Sequence, residues 1–168
     1  GDSGSAAAGP AGSEYPVEQF LRDVKIASLY EGTNGIQALD LVGRKLGLKK
    51  GMYFMNLLGE MGGTIGKHQA TLPGLASDVQ AAMNTLAETA MLFAASGKAG
   101  KFMVPVANAS PFLMLMGKVV TAWLLLWQAG AASEKLAAPD GGGPDRAFYE
   151  GKVASARYFI KHVLPEIE

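Results

Sequence analysis

Residues Phe112 to Ala129 read FLMLMGKVVTAWLLLWQA, an almost unbroken apolar run that must be surrounded by either lipid or protein. A bilayer-spanning helix needs about 20 apolar residues with no central charge. Lys118 lies inside the run and would cost about 2.5–3.5 kcal/mol at mid-bilayer. A helix buried on most sides by other helices explains the same composition without that cost. The run is therefore read as the buried member of a helical bundle, with membrane contact as the rival reading. The pattern carries this helix from about Val106 or Pro111 to Leu136, and Trp123 and Trp127 on it are core or interface anchors.

Downstream, Pro139-Asp140-Gly141-Gly142-Gly143-Pro144 is a loop, and Asp145 caps a last helix from about Arg146 to Leu164. Phe148, Gly151, Ser155, Tyr158 and His162 share one face of it; Val153, Ala156, Ile160 and Val163 share another. Upstream, a helix from about Leu75 to Ser96 follows the Pro73-Gly74 break, with a stripe through Leu75, Val79, Ala82, Met83, Leu86, Ala90 and Phe93. The helix before it, roughly Met52 to His68, carries Phe54, Met55, Leu58, Met61 and Ile65 on one side. Its Gly59, Gly62, Gly63 and Gly66 imply another backbone packed very close.

Earlier still, Thr33 or Asn34 caps a helix with Ile36, Leu39, Val42 and Leu46 on one face and Leu41 beside it, ending at Gly47. The first helix runs from Pro16 to about Leu29 with one buried stripe (Val17, Phe20, Leu21, Val24, Ala27), and Gly32 stops it. Six helices, no strand pattern and no internal repeat give an all-α class, an antiparallel helical bundle.

Composition narrows the function. The chain has 168 residues, 15 Lys plus Arg against 15 Asp plus Glu, and no cysteine. A neutral chain without a basic run is not a nucleic-acid binder. Without cysteine there is no disulfide framework, thiolate metal site or thiol nucleophile. At 49% hydrophobic residues the chain is not disordered. Its length suits one domain, or one domain plus part of another. The opening GDSGSAAAGPAG has no basic start and no apolar core, so it reads as a linker, a loop or an expression scar. With no initiator methionine, the chain is expected to be a fragment or a processed product.

Generic chemistry is sparse. His68 and His162 are far apart with no carboxylate at ligand spacing, so they read as surface or helix-end residues and no metal is expected. There is no phosphate-binding loop, nucleophile elbow or zincin motif. The methionines read as core filler.

One segment goes further. Residues 14–46, EYPVEQFLRDVKIASLYEGTNGIQALDLVGRKL, closely resemble the end of the catalytic region of the acyl-CoA dehydrogenase flavoenzymes. The match is carried by Tyr15-Pro16-Val17-Glu18, by Leu21-Arg22-Asp23 with Lys25-Ile26, and by Tyr30 through Gln37, in the family's order and spacing. The remainder, ending in Ala147-Phe148-Tyr149-Glu150-Gly151-Lys152-Val153 and Arg157-Tyr158-Phe159, is similar to the extra C-terminal helical domain of the larger bacterial members, the 3-methylmercaptopropionyl-CoA dehydrogenase-like group. The resemblance implies three parts: residues 1–13 as a linker or loop, 14–50 as the end of the catalytic helical domain, and 51–168 as the extra domain.

It also implies a reaction. An acyl-CoA thioester loses a proton from Cα and a hydride from Cβ to FAD, giving a trans-2-enoyl-CoA. The family's usual base falls on Glu31, Tyr30 would line the acyl pocket, and Gly32 would leave room for substrate. Thr33, Asn34 and Gly35 would touch FAD. Gly35 departs from the Glu or Gln of many relatives, so contact there would be through backbone. Arg22 and Asp23 are assigned to structural ion pairs. The resemblance further implies an acyl-CoA substrate, the remaining N-terminal part of the enzyme as the same or a separate chain, a homo-oligomer, and an electron acceptor such as an electron-transfer flavoprotein. The implied setting is the bacterial cytoplasm, with peripheral membrane contact left open. The rival class is a non-catalytic helical assembly or membrane-contact module.

Overall fold

The computed structural model describes residues 17–27, 30 and 33–167, all of them helix, turn or loop with no strand among them. The all-α expectation holds. Two compact units divide the chain, residues 1–37 and 38–168.

The first unit contains α1, Val17–Ala27, and the start of α2, Asn34–Gly43. Glu18 and Arg22 pair across one turn of α1 at 3.4 Å, the structural ion pair expected of Arg22, whereas Asp23 accepts from the neutral Gln19 amide at 2.8 Å. The expected burial of the α1 stripe is corrected: Val17, Phe20, Leu21 and Val24 are each 60% exposed or more. The expected ends at Pro16, Leu29 and Gly32 lie outside the described residues, as does the linker at 1–13.

In the second unit α2 stops at Gly43, earlier than the expected Gly47, and a 3-10 segment covers Lys45–Gly51. Lys49 and Lys50 take positive φ (48° and 58°), a conformation that costs a non-glycine residue roughly 1–2 kcal/mol. Asp40 fixes the end of α2 by accepting from Arg44 at 2.6 and 2.8 Å and pairing with Lys45 at 3.3 Å. These cations hold its carboxyl below the usual range. Ala38 and Leu41 are the buried residues of α2, and Val42 and Leu46 of the expected face pack partly buried against the core, whereas Ile36 and Leu39 are exposed.

α3, Met52–His68, and α4, Pro73–Lys98, pack together across a four-residue connection, which obliges them to run antiparallel. Pro73 is the first residue of α4, where its missing N–H costs nothing, so the helix starts two residues before the expected Leu75. Six of the seven residues in its expected stripe are buried, and Met83 packs partly buried against the core. A short helix the sequence did not suggest, α5 (Met103–Ala107), is separated from α6 (Ala109–Leu136) at Asn108.

α6 is the common partner of α3, α4 and α7. Phe112, Val119, Ala122, Leu126 and Ala129 form its buried stripe, and Phe112 meets Phe93 of α4 with ring centroids 5.1 Å apart. Burial on most sides was expected, but Met114, Leu124 and Trp127 are exposed. The helix is long and apolar enough to cross a bilayer by length and composition. Its internal charge is nonetheless used within the chain: the Lys118 ammonium lies 2.9 Å from the Glu166 carboxylate.

The last helix, α7, spans Arg146–Tyr158 and then widens to a π turn at Phe159–Val163 and tightens to a 3-10 turn at Leu164–Ile167. Pro165 explains why it does not continue regularly, since it lacks the N–H for an i→i−4 bond and its ring crowds the carbonyl one turn back. Asp145 occupies the cap position without a side-chain cap bond. Of the two candidate faces, the one through Ala156 and Ile160 is buried.

Two close-packing expectations change. Placing a Cβ on Gly59, Gly62, Gly63 or Gly66 of α3 meets nothing within 4 Å. The tight approach occurs instead at Gly130 of α6, where a Cβ would overlap the His68 imidazole. His68, expected at a surface or helix end, does end α3 but is only 1% exposed.

Candidate active site

The residues singled out by sequence cluster where α2 begins. Thr33 caps that helix: its Oγ1 accepts from the Ile36 N–H at 3.4 Å and its carbonyl from the Gln37 N–H at 3.1 Å. Asn34 and Gly35 are the first two helical residues, where N–H groups have no intrahelical partner. The first turn itself carries no acidic residue. Among the described residues, a Cβ at Gly35 would meet Thr33 Oγ1 at 3.7 Å, an ordinary van der Waals distance.

Tyr30 donates its N–H to the Ile26 carbonyl at 2.9 Å, which ends the α1 region in a turn, and its side chain is 80% exposed. Glu31 and Gly32, the expected base and its small neighbour, lie outside the described residues. Thr33, Asn34 and Gly35 are exposed. The donor set of a threonine hydroxyl, an asparagine amide and the first N–H groups of a helix suits phosphate and hydroxyl oxygens of a nucleotide cofactor. On that chemistry these residues fit FAD.

Two hollows lie elsewhere. One of about 430 Å³ opens between α4 and the C-terminal turns, with the Asp78–Lys161 ion pair (2.6 Å) on its wall and Ala82, Ile160 and Leu164 below. The other, about 250 Å³, lies between α6 and α7. Neither is lined by Tyr30, Thr33, Asn34 or Gly35. Among the described residues no cluster of three or more His, Cys, Asp or Glu is placed to hold a metal.

His68 is the titratable group whose environment the sequence did not reveal. Its Nε2 is buried without a hydrogen-bond partner. Burial first, and the neighbouring Lys67 second, push the imidazole below its ordinary value, while Glu134 acts in the opposite sense. Lys67 and Glu134 pair at 3.0 Å beside it. The only signals in the sequence were the histidine on α3 and the glycine on α6, and neither marks the pairing.

A family model described as acetyl-CoA dehydrogenase C-terminal like matches residues 57–168. Over 163 residues the chain is 38% identical to a broad-specificity linear acyl-CoA dehydrogenase of Mycobacterium tuberculosis, covering 90% of this chain and 26% of that protein. It is 36% identical to 3-methylmercaptopropionyl-CoA dehydrogenase of Ruegeria pomeroyi, covering 91% of this chain and 26% of that protein. It is 32% identical to butyryl-CoA dehydrogenase of Syntrophomonas wolfei, covering 92% of this chain and 25% of that protein. The chain thus spans about a quarter of the length of these curated relatives.

Proposed function

This chain belongs to the acyl-CoA dehydrogenase family through its C-terminal helical region, and from that premise we propose that it is the C-terminal part of an FAD-dependent acyl-CoA dehydrogenase. The observation that carries the reading is the extent of the likeness. It covers 90% of the chain and so reaches beyond the family-model span into the segment that holds Tyr30 to Gln37. We assign residues 14–50 to the end of the catalytic helical domain and 51–168 to the extra helical domain.

In this reading the Glu31 carboxylate removes the α-proton of an acyl-CoA thioester. That proton is weakly acidic, so the base must be held against it with water excluded. Exclusion of water raises the basicity of the carboxylate. The Glu31 N–H donates to the thioester oxygen as enolate charge develops. Tyr30 lines the acyl chain and Gly32 leaves room for it. Thr33, Asn34 and the Gly35 backbone hold FAD. When bound, FAD supplies the two-electron acceptor for the hydride leaving Cβ. The other partners are the N-terminal part of the enzyme, further copies of the subunit and an electron-transfer flavoprotein, in a bacterial cytoplasm.

The test is Glu31→Gln in the full enzyme. Dehydrogenation should fall by about 10²–10⁴-fold while the flavin spectrum and acyl-CoA binding persist. Near-normal turnover would remove Glu31 from the role of base. The second reading, a non-catalytic assembly or membrane-contact module, draws on the exposed Met114, Leu124 and Trp127 of α6. Flotation of the full enzyme with liposomes tests it, and recovery in the soluble fraction would remove its membrane arm.

A further inference from the structure

The smaller hollow, about 250 Å³ between α6 and α7, combines an apolar lining with two lysines. Ala131 and the buried Ala132 line it from α6. Phe148 and Tyr149 form its wall, with ring centroids 5.6 Å apart and planes at 69°. Phe148 is 60% exposed, a large apolar area to leave in water. Lys135 and Lys152 also line it, and no aspartate or glutamate does. The neighbouring acids make their ion pairs with other cations: Glu134 pairs with Lys67 at 3.0 Å, while also feeling the charge of Lys135, and Glu150 pairs with Arg146 at 2.9 Å. Lys152 rests on a neutral acceptor, donating to Gln128 Oε1 at 3.1 Å, and its ammonium lies 5.4 Å from the Phe148 ring centroid.

The geometry points to a binding site for a small amphiphilic monocarboxylate in this cleft. The carboxylate is taken by Lys135 and Lys152, exchanging the Gln128 amide oxygen for a charged acceptor, and the hydrocarbon tail lies against Phe148 and the alanine methyls. Charge complementarity sets the sign of the ligand and the aromatic wall sets its apolar body. A dianion such as inorganic phosphate would satisfy the lysines and leave the ring uncovered. The inference stands apart from the dehydrogenase reading, because none of these residues belongs to the α1–α2 site.

The experiment is a ¹⁵N–¹H titration of the 168-residue chain with octanoate, held below micelle formation, beside octan-1-ol and acetate. Octanoate should shift amides in 128–135 and 148–152 saturably, in the millimolar range. Octan-1-ol and acetate should each bind distinctly more weakly. Lys135→Gln and Lys152→Gln, both at the rim, should each weaken octanoate by about three- to fivefold with the spectrum otherwise intact. Absence of saturable shifts overturns the site. So does equal binding of octan-1-ol, equal binding of acetate, or octanoate affinity unchanged in both lysine variants.

Discussion

Changing Gly130 to alanine should have opposite signs depending on whether the His68 side chain is present. In the native chain the added Cβ would overlap the imidazole, which is 1% exposed at the end of α3. Helix propensity alone favours alanine by about 0.5–1 kcal/mol. Overpacking a filled site costs about 1–3 kcal/mol. The net is a loss of up to about 2.5 kcal/mol, on the order of 5–10 °C in Tm for a chain of this size. In a His68→Ala background the imidazole is gone, so Gly130→Ala should stabilise by about 0.5–1 kcal/mol. The double-mutant coupling is therefore about 1–3 kcal/mol.

Urea denaturation followed by circular dichroism measures all four corners of the cycle. The same sign for Gly130→Ala in both backgrounds would refute the claim that glycine is there to admit the imidazole. A pH series adds an independent arm. Burial lowers the folded-state pKa of His68 beneath 6.5, so the unfolded chain binds more protons as pH falls through 6.5. His68 therefore makes stability rise with pH in that window and fall on acidification, by at most about 1.4 kcal/mol per pH unit, until the folded imidazole itself protonates. Lys67 opposes the imidazolium and Glu134 favours it, so the contribution should vanish in His68→Ala while that pair remains intact.

Other outcomes follow from the same packing. Leu86→Ala empties a fully buried position on α4 and should cost about 2–5 kcal/mol by chemical denaturation. Gly59→Ala on α3 meets open space and should stabilise the chain by about 0.5–1 kcal/mol; a loss would mean that another backbone does cover that face in solution. Glu166→Gln removes the negative charge facing Lys118 while leaving oxygens to accept from it, and should cost at most about 1 kcal/mol, diminishing with salt. The 168-residue chain expressed alone should be colourless; a yellow, FAD-loaded product would contradict the division of the flavin site between this chain and other parts of the enzyme.

Periodicity revealed α4 because its apolar residues recur on one face strongly enough to outlast the glycine and proline at its start. It was less able to orient α2, where Ala38 rather than Ile36 or Leu39 is buried. Alanine is a weak hydrophobic signal, yet its small side chain lets elements approach closely. α5 was missed for a related reason: five residues containing a proline carry too little pattern to register. The pairing of Gly130 with His68 is a contact between helices distant in sequence, and it leaves no trace in local spacing. At the proposed site, the sequence narrowed the cap to Thr33 or Asn34, because either side-chain oxygen can accept a first-turn N–H, and the bond to the Ile36 N–H falls to Thr33.

The exposure of the α1–α2 region bears on how that site could work. A carboxylate base strong enough to remove an α-proton must be desolvated, and α1 presents Phe20, Leu21 and Val24 to solvent instead of to a core. Tyr30, next to the proposed base, is likewise 80% exposed. An amphipathic helix with an uncovered apolar face needs a complementary surface, and a base beside it needs the same surface to exclude water. One cover would meet both demands: the parts that make up the other three quarters of the relatives' length. Replacing Phe20 and Leu21 with serine in the full enzyme would therefore be expected to weaken dehydrogenation and the docking of this region together, while leaving the urea midpoint of the isolated 168-residue chain nearly unchanged. Loss of stability in the isolated chain would show that the α1 stripe is already buried within it, and the argument for an external cover would fail.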